Sequence, residues 1–205
     1  MLTVAQMREL EDLSEQNGVS RAQLMQNAGR AAADMIKERY PDASSSALVV
    51  SYHGNNGGDG FVVARHLGAD VLFLGDENKL KPEARSAWDA LDKRRIISDM
   101  EKVTWDRYAL LVDSLLGTGT AGPLQGVLAA AVQRMNNHPA PIISLDVPTG
   151  VDPDAGDSSG DTIKADLIIT FHDTKPGLVA FKNICTIVDI GIPAEAIAQW
   201  QLKQQ

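Results

Sequence analysis

The chain has 205 residues, 44% of them hydrophobic and 22% charged, with a formal net charge of −8. That is enough chain for one substantial core, and its acidic balance leaves no basic surface on which bulk electrostatics could hold nucleic acid or an anionic membrane. No apolar run approaches the roughly 20 residues of a membrane span, no basic-then-apolar leader opens the sequence, and the single Cys185 excludes an internal disulfide, so a one-domain, cytosolic protein with a buried thiol is expected.

In chain order, Thr3 with Gln6 reads as a capping box opening a first helix, with Met7, Leu10 and Leu13 spaced by three and Asn17-Gly18 as the stop. Ser20 with Gln23 repeats the capping pattern. Leu24, Ala28, Ala31, Ala32, Met35 and Ile36 then form the stripe of a second helix that ends before Pro41. These two helices precede the first strand, so they are expected to lie across the sheet or reach a partner; Met25 and Met35 read as core filling. Residues 47–50 are a nearly continuous apolar run that reads as a strand covered on both faces, and residues 71–74, 109–113, 141–145, 167–171 and 186–190 read as further short strands. Helices are predicted between them: one beginning around Phe61, then residues 82–91, 123–135 and 193–204. Lys93-Arg94-Arg95 reads as a solvated helix end and residues 152–160, dense in Asp, Gly and Ser, as a loop. Strand and helix in alternation predict an α/β fold, a three-layer αβα sandwich around a Rossmann-like, mostly parallel sheet.

The stretch that organises this pattern is residues 51–65, SYHGNNGGDGFVVAR, in which a glycine-rich turn joins the first strand to a helix. Glycines there permit positive φ and close ligand approach, and the free N–H groups of the helix start can bind an anion. Neither the dinucleotide pattern GxGxxG nor the GK[ST] ending of a P-loop is present. Ligands of open parallel sheets bind beyond the carboxyl ends of the strands, so residues 55–59, Asp113, residues 146–149 and residues 172–175 should converge on one edge. A second glycine-rich turn, Gly117-Thr118-Gly119-Thr120-Ala121-Gly122-Pro123, follows another strand and could wrap a phosphorylated ligand with backbone N–H groups. His53, His66 and His172 have no metal-site spacing.

GNNGGDG followed by FVVAR resembles the signature of the NAD(P)HX epimerase family, the YjeF N-terminal domain. Leu24-Met25-Gln26-Asn27-Ala28-Gly29, Asp113-Ser114-Leu115-Leu116-Gly117-Thr118-Gly119, Asp146-Val147-Pro148-Thr149-Gly150-Val151-Asp152 and residues 170–178 extend the resemblance in order across nearly the whole chain. It implies repair of hydrated NADH and NADPH by interconversion of their C6 epimers. The substrate would be held by Asn55, Asn56, Gly57, Gly58, Asp59, Gly117, Thr118, Gly119, Thr120, Ala121, Gly122, Pro123 and Asp146. A potassium ion would be bound by oxygens of Asn56, Asp113 and Thr149, offsetting carboxylates that would otherwise repel an anionic ligand. Asp146 is the expected proton carrier. Lys175 is a second catalytic candidate, or else a neutralising partner for phosphate or for Asp146. The resemblance further implies an N-terminal region that walls the site, a homodimer, and a separate NAD(P)HX dehydratase acting downstream. Tyr52 stands where relatives commonly have glycine, and Thr149 where serine is commoner. A noncatalytic dimerising scaffold of the same fold is the alternative, against which retention of the glycine-rich loop and of both aspartates weighs; a phosphotransferase lacks its P-loop here.

Overall fold

The computed structural model describes residues 1–117, 123–158 and 160–203. Seven strands, β1 (Ala47–Ser51), β2 (Asp70–Phe73), β3 (Ile96–Ile97), β4 (Leu110–Ser114), β5 (Ile142–Leu145), β6 (Leu167–Phe171) and β7 (Cys185–Val188), form one sheet in the order β3-β2-β1-β4-β5-β6-β7. Every pairing is parallel, as β1 shows against β4, where Val49 lies opposite Val112 and Val50 opposite Asp113. Six strands were expected. The seventh, β3, is two residues long and follows the basic cluster, whose Lys93 donates to the Trp88 carbonyl of the preceding helix end at 2.6 Å as read, while Arg95 pairs with Asp70 at 3.0 Å.

Side chains of β1 alternate between two cores, as a period of two requires. Ala47 and Val49 join one apolar cluster, Leu48 and Val50 the other. The first is covered by α1 (Val4–Gln16), α2 (Arg21–Arg39), α3 (Asn55–Leu67), α4 (Pro82–Asp89) and α6 (Ala194–Lys203). The second is covered by α5 (Gly126–Asn136), whose Ala131, Val132 and Met135 are fully buried, and by Val103, Trp105 and Tyr108 from short turns before β4. The three layers are therefore present but unequal, and α1 and α2 lie on the helix-rich face. No described helix is long and apolar enough to cross a membrane.

The first capping box forms as read: the Gln6 amide donates to Thr3 Oγ1 at 3.2 Å and the Thr3 amide to Gln6 Oε1 at 2.9 Å. The second forms by half. Ser20 Oγ accepts from the Gln23 amide, but the Gln23 side chain turns along the helix to Asn27 at 2.9 Å. Packing of α2 on α3 depends on Gly29, where a Cβ would stand 2.4 Å from Val62 Cβ. Met25 is buried in the core as expected, and Met35 packs against it.

Strand order reverses between β1 and β4. The chain runs outward through β2 and β3 on one side and through β5, β6 and β7 on the other, so a crevice opens above the carboxyl ends of β1 and β4.

Candidate active site

A cavity of about 730 Å³ lies at this crevice. The segment after β1 supplies Asn55, Asn56 and Asp59, the segment after β4 supplies Gly117, and Asp146 and Lys175 come from the segments after β5 and β6. The expected convergence of distant strand ends is met for these residues. Helices α1 and α2 close the cavity with Met7, Glu11, Arg21, Leu24 and Met25.

The glycine-rich stretch departs from its sequence reading in one respect. It is the first two turns of α3, which starts at Asn55 with Gly54 as an N-cap lacking a side-chain bond. None of its glycines has a positive φ. Their need is close packing. A Cβ at Gly57 would stand 1.7 Å from the Tyr52 carbonyl oxygen, one at Gly58 2.6 Å from Met25, and one at Gly60 2.0 Å from Ser114 Oγ. Gly57 and Gly58 thus seat the helix end, while Asn55, Asn56 and Asp59 face the cavity. Because no side chain caps α3, its first amides are open to an anion.

Asp146 follows β5 directly and has φ +64°; His172, after β6, repeats the geometry at +63°. At each, the next amide bonds back to the preceding carbonyl, Val147 to Leu145 and Asp173 to Phe171, both at 2.8 Å. These are tight three-residue turns in a region disfavoured for residues other than glycine, at a cost of order 1–3 kcal/mol each. The Asp146 turn brings its carboxylate to the cavity. Lys175 Nζ pairs with Asp146 Oδ1 and also donates to Thr170 Oγ1 at 2.9 Å and to the Phe171 carbonyl at 3.2 Å. Lys175 is 1% exposed, so its ammonium is committed to this cluster. Of the roles open to Lys175, the neutralising partner of Asp146 is the one its contacts describe.

Asp113 does not line the cavity. It is fully buried within β4 and accepts from Ser144 Oγ at 2.8 Å, the Thr149 amide at 2.9 Å, Thr149 Oγ1 at 2.6 Å and the Leu115 amide at 3.3 Å. Burial raises its carboxyl above the ordinary value against these hydrogen bonds. Thr149 Oγ1 also accepts from the Leu116 amide at 3.0 Å, and Asn56 Nδ2 donates to the Leu116 carbonyl at 2.9 Å. Asn56, Asp113 and Thr149 are thus joined through Leu116. Among the described residues the buried oxygen Asn56 Oδ1 has no donor, and Asn55 Oδ1 shares that condition.

Asp59 lies across the cavity wall without a hydrogen-bond partner among the described residues. Desolvation holds its carboxyl well above the usual carboxylate range; Asp146 and Glu11 add to the effect and Lys175 opposes it. Glu11 is likewise raised by burial, against its pairing with Arg21 at 2.7 Å. His53 lines the cavity beside Tyr52, its ring 3.9 Å away, and burial keeps it below the usual histidine value. Pro123 is exposed and lies off the cavity wall; Thr118, Gly119, Thr120, Ala121 and Gly122 fall outside the described residues. Glu11 and Arg21 are site residues that sequence reasoning missed, because their spacing resembles that of any solvated helix face. Thr170, next to last in an apolar strand, was the one polar residue that could have drawn notice.

A family model described as YjeF-related protein N-terminus matches residues 21–177. The chain belongs to that family. It is 33% identical to an NAD(P)H-hydrate epimerase from Cenarchaeum symbiosum over 95% of this chain and 97% of the relative. It is 35% identical to one from Rhodopirellula baltica over 98% and 88%. A bifunctional NAD(P)H-hydrate repair enzyme, Nnr of Archaeoglobus fulgidus, is 39% identical over 91% of this chain, which spans only 40% of that relative. The crystal structure of yeast ynu0 superposes with a TM-score of 0.77 and 25% identity, covering 90% of this chain and 86% of the yeast one.

Proposed function

We propose that this chain is an NAD(P)H-hydrate epimerase, interconverting the R and S forms at C6 of hydrated NADH and NADPH. The observation that carries the reading is Asp146, an ion-paired carboxylate held at positive φ on the rim of a cavity that also receives the uncapped start of α3. Identity to the epimerases of C. symbiosum and R. baltica along nearly their whole length supports the substrate assignment.

At C6 a hydroxyl and the ring nitrogen share one carbon, so the nitrogen lone pair can expel the hydroxyl and leave a planar iminium to which water adds from either face. Acid–base help suffices for this exchange, and hydride transfer has no part in it. In this reading Asp146 takes the proton of the incoming water. Lys175 and Thr170 fix the carboxylate, and the amides of α3 with Asn55 and Asn56 hold the nucleotide.

A potassium ion fits the oxygens of Asn56, Asp113 and Thr149 because Asn56 Oδ1 is buried without a donor among the described residues, beside an all-oxygen cluster containing a single carboxylate. Such a set suits a monovalent ion better than magnesium. When bound, the ion would supply positive charge beside the pyrophosphate. The homodimer belongs to the same proposal and is checked by sedimentation; the epimer produced would pass to a dehydratase that accepts one epimer only.

The test is incubation of a single purified epimer with the protein, followed by chromatography. The expected outcome is rapid equilibration of the two epimers; equilibration no faster than in buffer would end the reading. Replacing potassium by a bulky organic cation should slow the reaction, and indifference to the exchange would remove the ion from the site.

A further inference from the structure

Four carboxyl groups, those of Glu11, Asp59, Glu83 and Asp146, line one cavity, Glu83 from the start of α4. Asp146 faces the buried ammonium of Lys175 and Glu11 faces Arg21. Asp59 has neither a cation nor a hydrogen-bond donor among the described residues. It sits on the second turn of α3 with Met25 of α2 packed beside its neighbour Gly58.

We propose that Asp59 is the proton donor of the reaction, a neutral carboxylic acid that delivers its proton to the departing C6 hydroxyl while Asp146 serves as the base. The assignment rests on the epimerase reading. One cavity holding two half-buried carboxyl groups in contrasting surroundings, one bound to an ammonium and one on the cavity wall with neither cation nor donor among the described residues, is the arrangement by which a site keeps an acid and a base together at neutral pH. The raised titration of the Asp59 carboxyl agrees with this.

The step balances. As the C6–O bond breaks, its electron pair takes the Asp59 proton and leaves as water, while the nitrogen lone pair forms the C=N bond. Water then attacks the opposite face, the C=N pair returns to nitrogen, and the surplus proton passes to the Asp146 carboxylate. Proton exchange with solvent resets both groups. The charged and titratable groups that share the cavity with Asp59 are Arg8 and Glu11 of α1, Arg21 of α2, Tyr52 and His53 after β1, Lys81 and Glu83 at the start of α4, Asp146, and Lys175. Of these, Lys175 opposes protonation of Asp59, while Asp146 and Glu11 favour it.

Asp59→Asn keeps the shape of the side chain and removes the transferable proton. In the full-length protein kcat should fall by about 10²–10⁴-fold with KM little changed, and the alkaline limb of the wild-type kcat profile, where Asp59 ionises, should vanish. A retained kcat, a loss confined to KM, or an alkaline limb that survives in the variant would each overturn the assignment. Infrared difference spectroscopy of wild type against Asp59→Asn at neutral pH supplies a readout independent of turnover, the carbonyl stretch of a protonated carboxyl. A wild-type protein that epimerises without this band refutes Asp59 as donor. One that shows the band but does not epimerise refutes the functional reading, and the donor role falls with it.

Discussion

Asp113 and Asp146 lie at the carboxyl ends of neighbouring strands, β4 and β5, and from sequence they read as a matched pair. Their surroundings are opposite. Asp113 is fully buried and satisfied by hydroxyl and amide donors, with no ammonium in contact among the described residues. Asp146 retains some exposure, sits in a strained turn and faces an ammonium. The first arrangement ties β4 to β5 and to the turn carrying Thr149. The second holds a carboxylate where it can meet a ligand, at the expense of local backbone energy. A strand-end aspartate is therefore not one kind of residue, and the two should separate when changed.

The largest effect belongs to Asp146→Asn. Loss of the base should lower kcat by about 10²–10⁴-fold. The same change leaves Lys175, 2% exposed at its side chain, without its counter-charge. Unfolding free energy should therefore drop by about 3–5 kcal/mol, as for other broken buried pairs. Adding Lys175→Met should restore much of the stability and none of the activity. If the double variant recovers turnover, the ion pair is structural and the contrast with Asp113 fails.

Asp113→Ala should lower stability by a different route, besides removing the carboxylate of the proposed ion site. It strands the Ser144 hydroxyl and two Thr149 donors in a dry interior, where each unsatisfied group costs about 1–3 kcal/mol. At about 2–4 °C per kcal/mol for a chain of this size, the melting temperature should fall by at least several degrees. A variant melting like wild type would show that the cluster joining β4 and β5 contributes nothing.

A third carboxyl sharpens the comparison through pH. Asp59 titrates above its ordinary value of 3.8 in the folded protein, so the folded state keeps its proton after the unfolded chain has released one. Between that ordinary value and the raised one, stability falls as pH rises. Asp59→Asn removes this penalty. In the ligand-free protein the variant should therefore gain on wild type as pH climbs from the acid side, read as a widening gap in melting temperature. A gap that is constant with pH would mean that Asp59 is not desolvated in solution.

Much of this molecule was legible in its residues. Strands buried on both faces announce themselves as unbroken apolar runs, and with helices between them they specify the parallel sheet, its crevice and the strand-end position of Asp146. Ile96 and Ile97 escaped because two residues carry no period. The glycines at 57, 58 and 60 were visible, but their purpose was not: they look like a flexible turn and are contact points against Tyr52, Met25 and Ser114, distances that exist only after folding. Glu11 and Arg21 escaped because only the docking of α1 and α2 over the crevice turns an ordinary polar helix face into a cavity wall.

The smallest effect expected is at Thr149, and it tests the Asp113 cluster most finely. Its hydroxyl donates to Asp113 and accepts from the Leu116 amide, while its methyl adds only packing. Thr149→Ser keeps both hydrogen bonds, so its cost should stay below about 1.5 kcal/mol, the range of a lost buried methyl group. Thr149→Val keeps the shape and deletes the hydroxyl, leaving the Leu116 amide without its acceptor and Asp113 one donor poorer, at about 1–3 kcal/mol. Valine should therefore melt lower than serine although it is the closer match in volume. The reverse order would mean that packing rather than hydrogen bonding holds this turn, and the claim that Asp113 organises the junction of β4 and β5 would lose its basis.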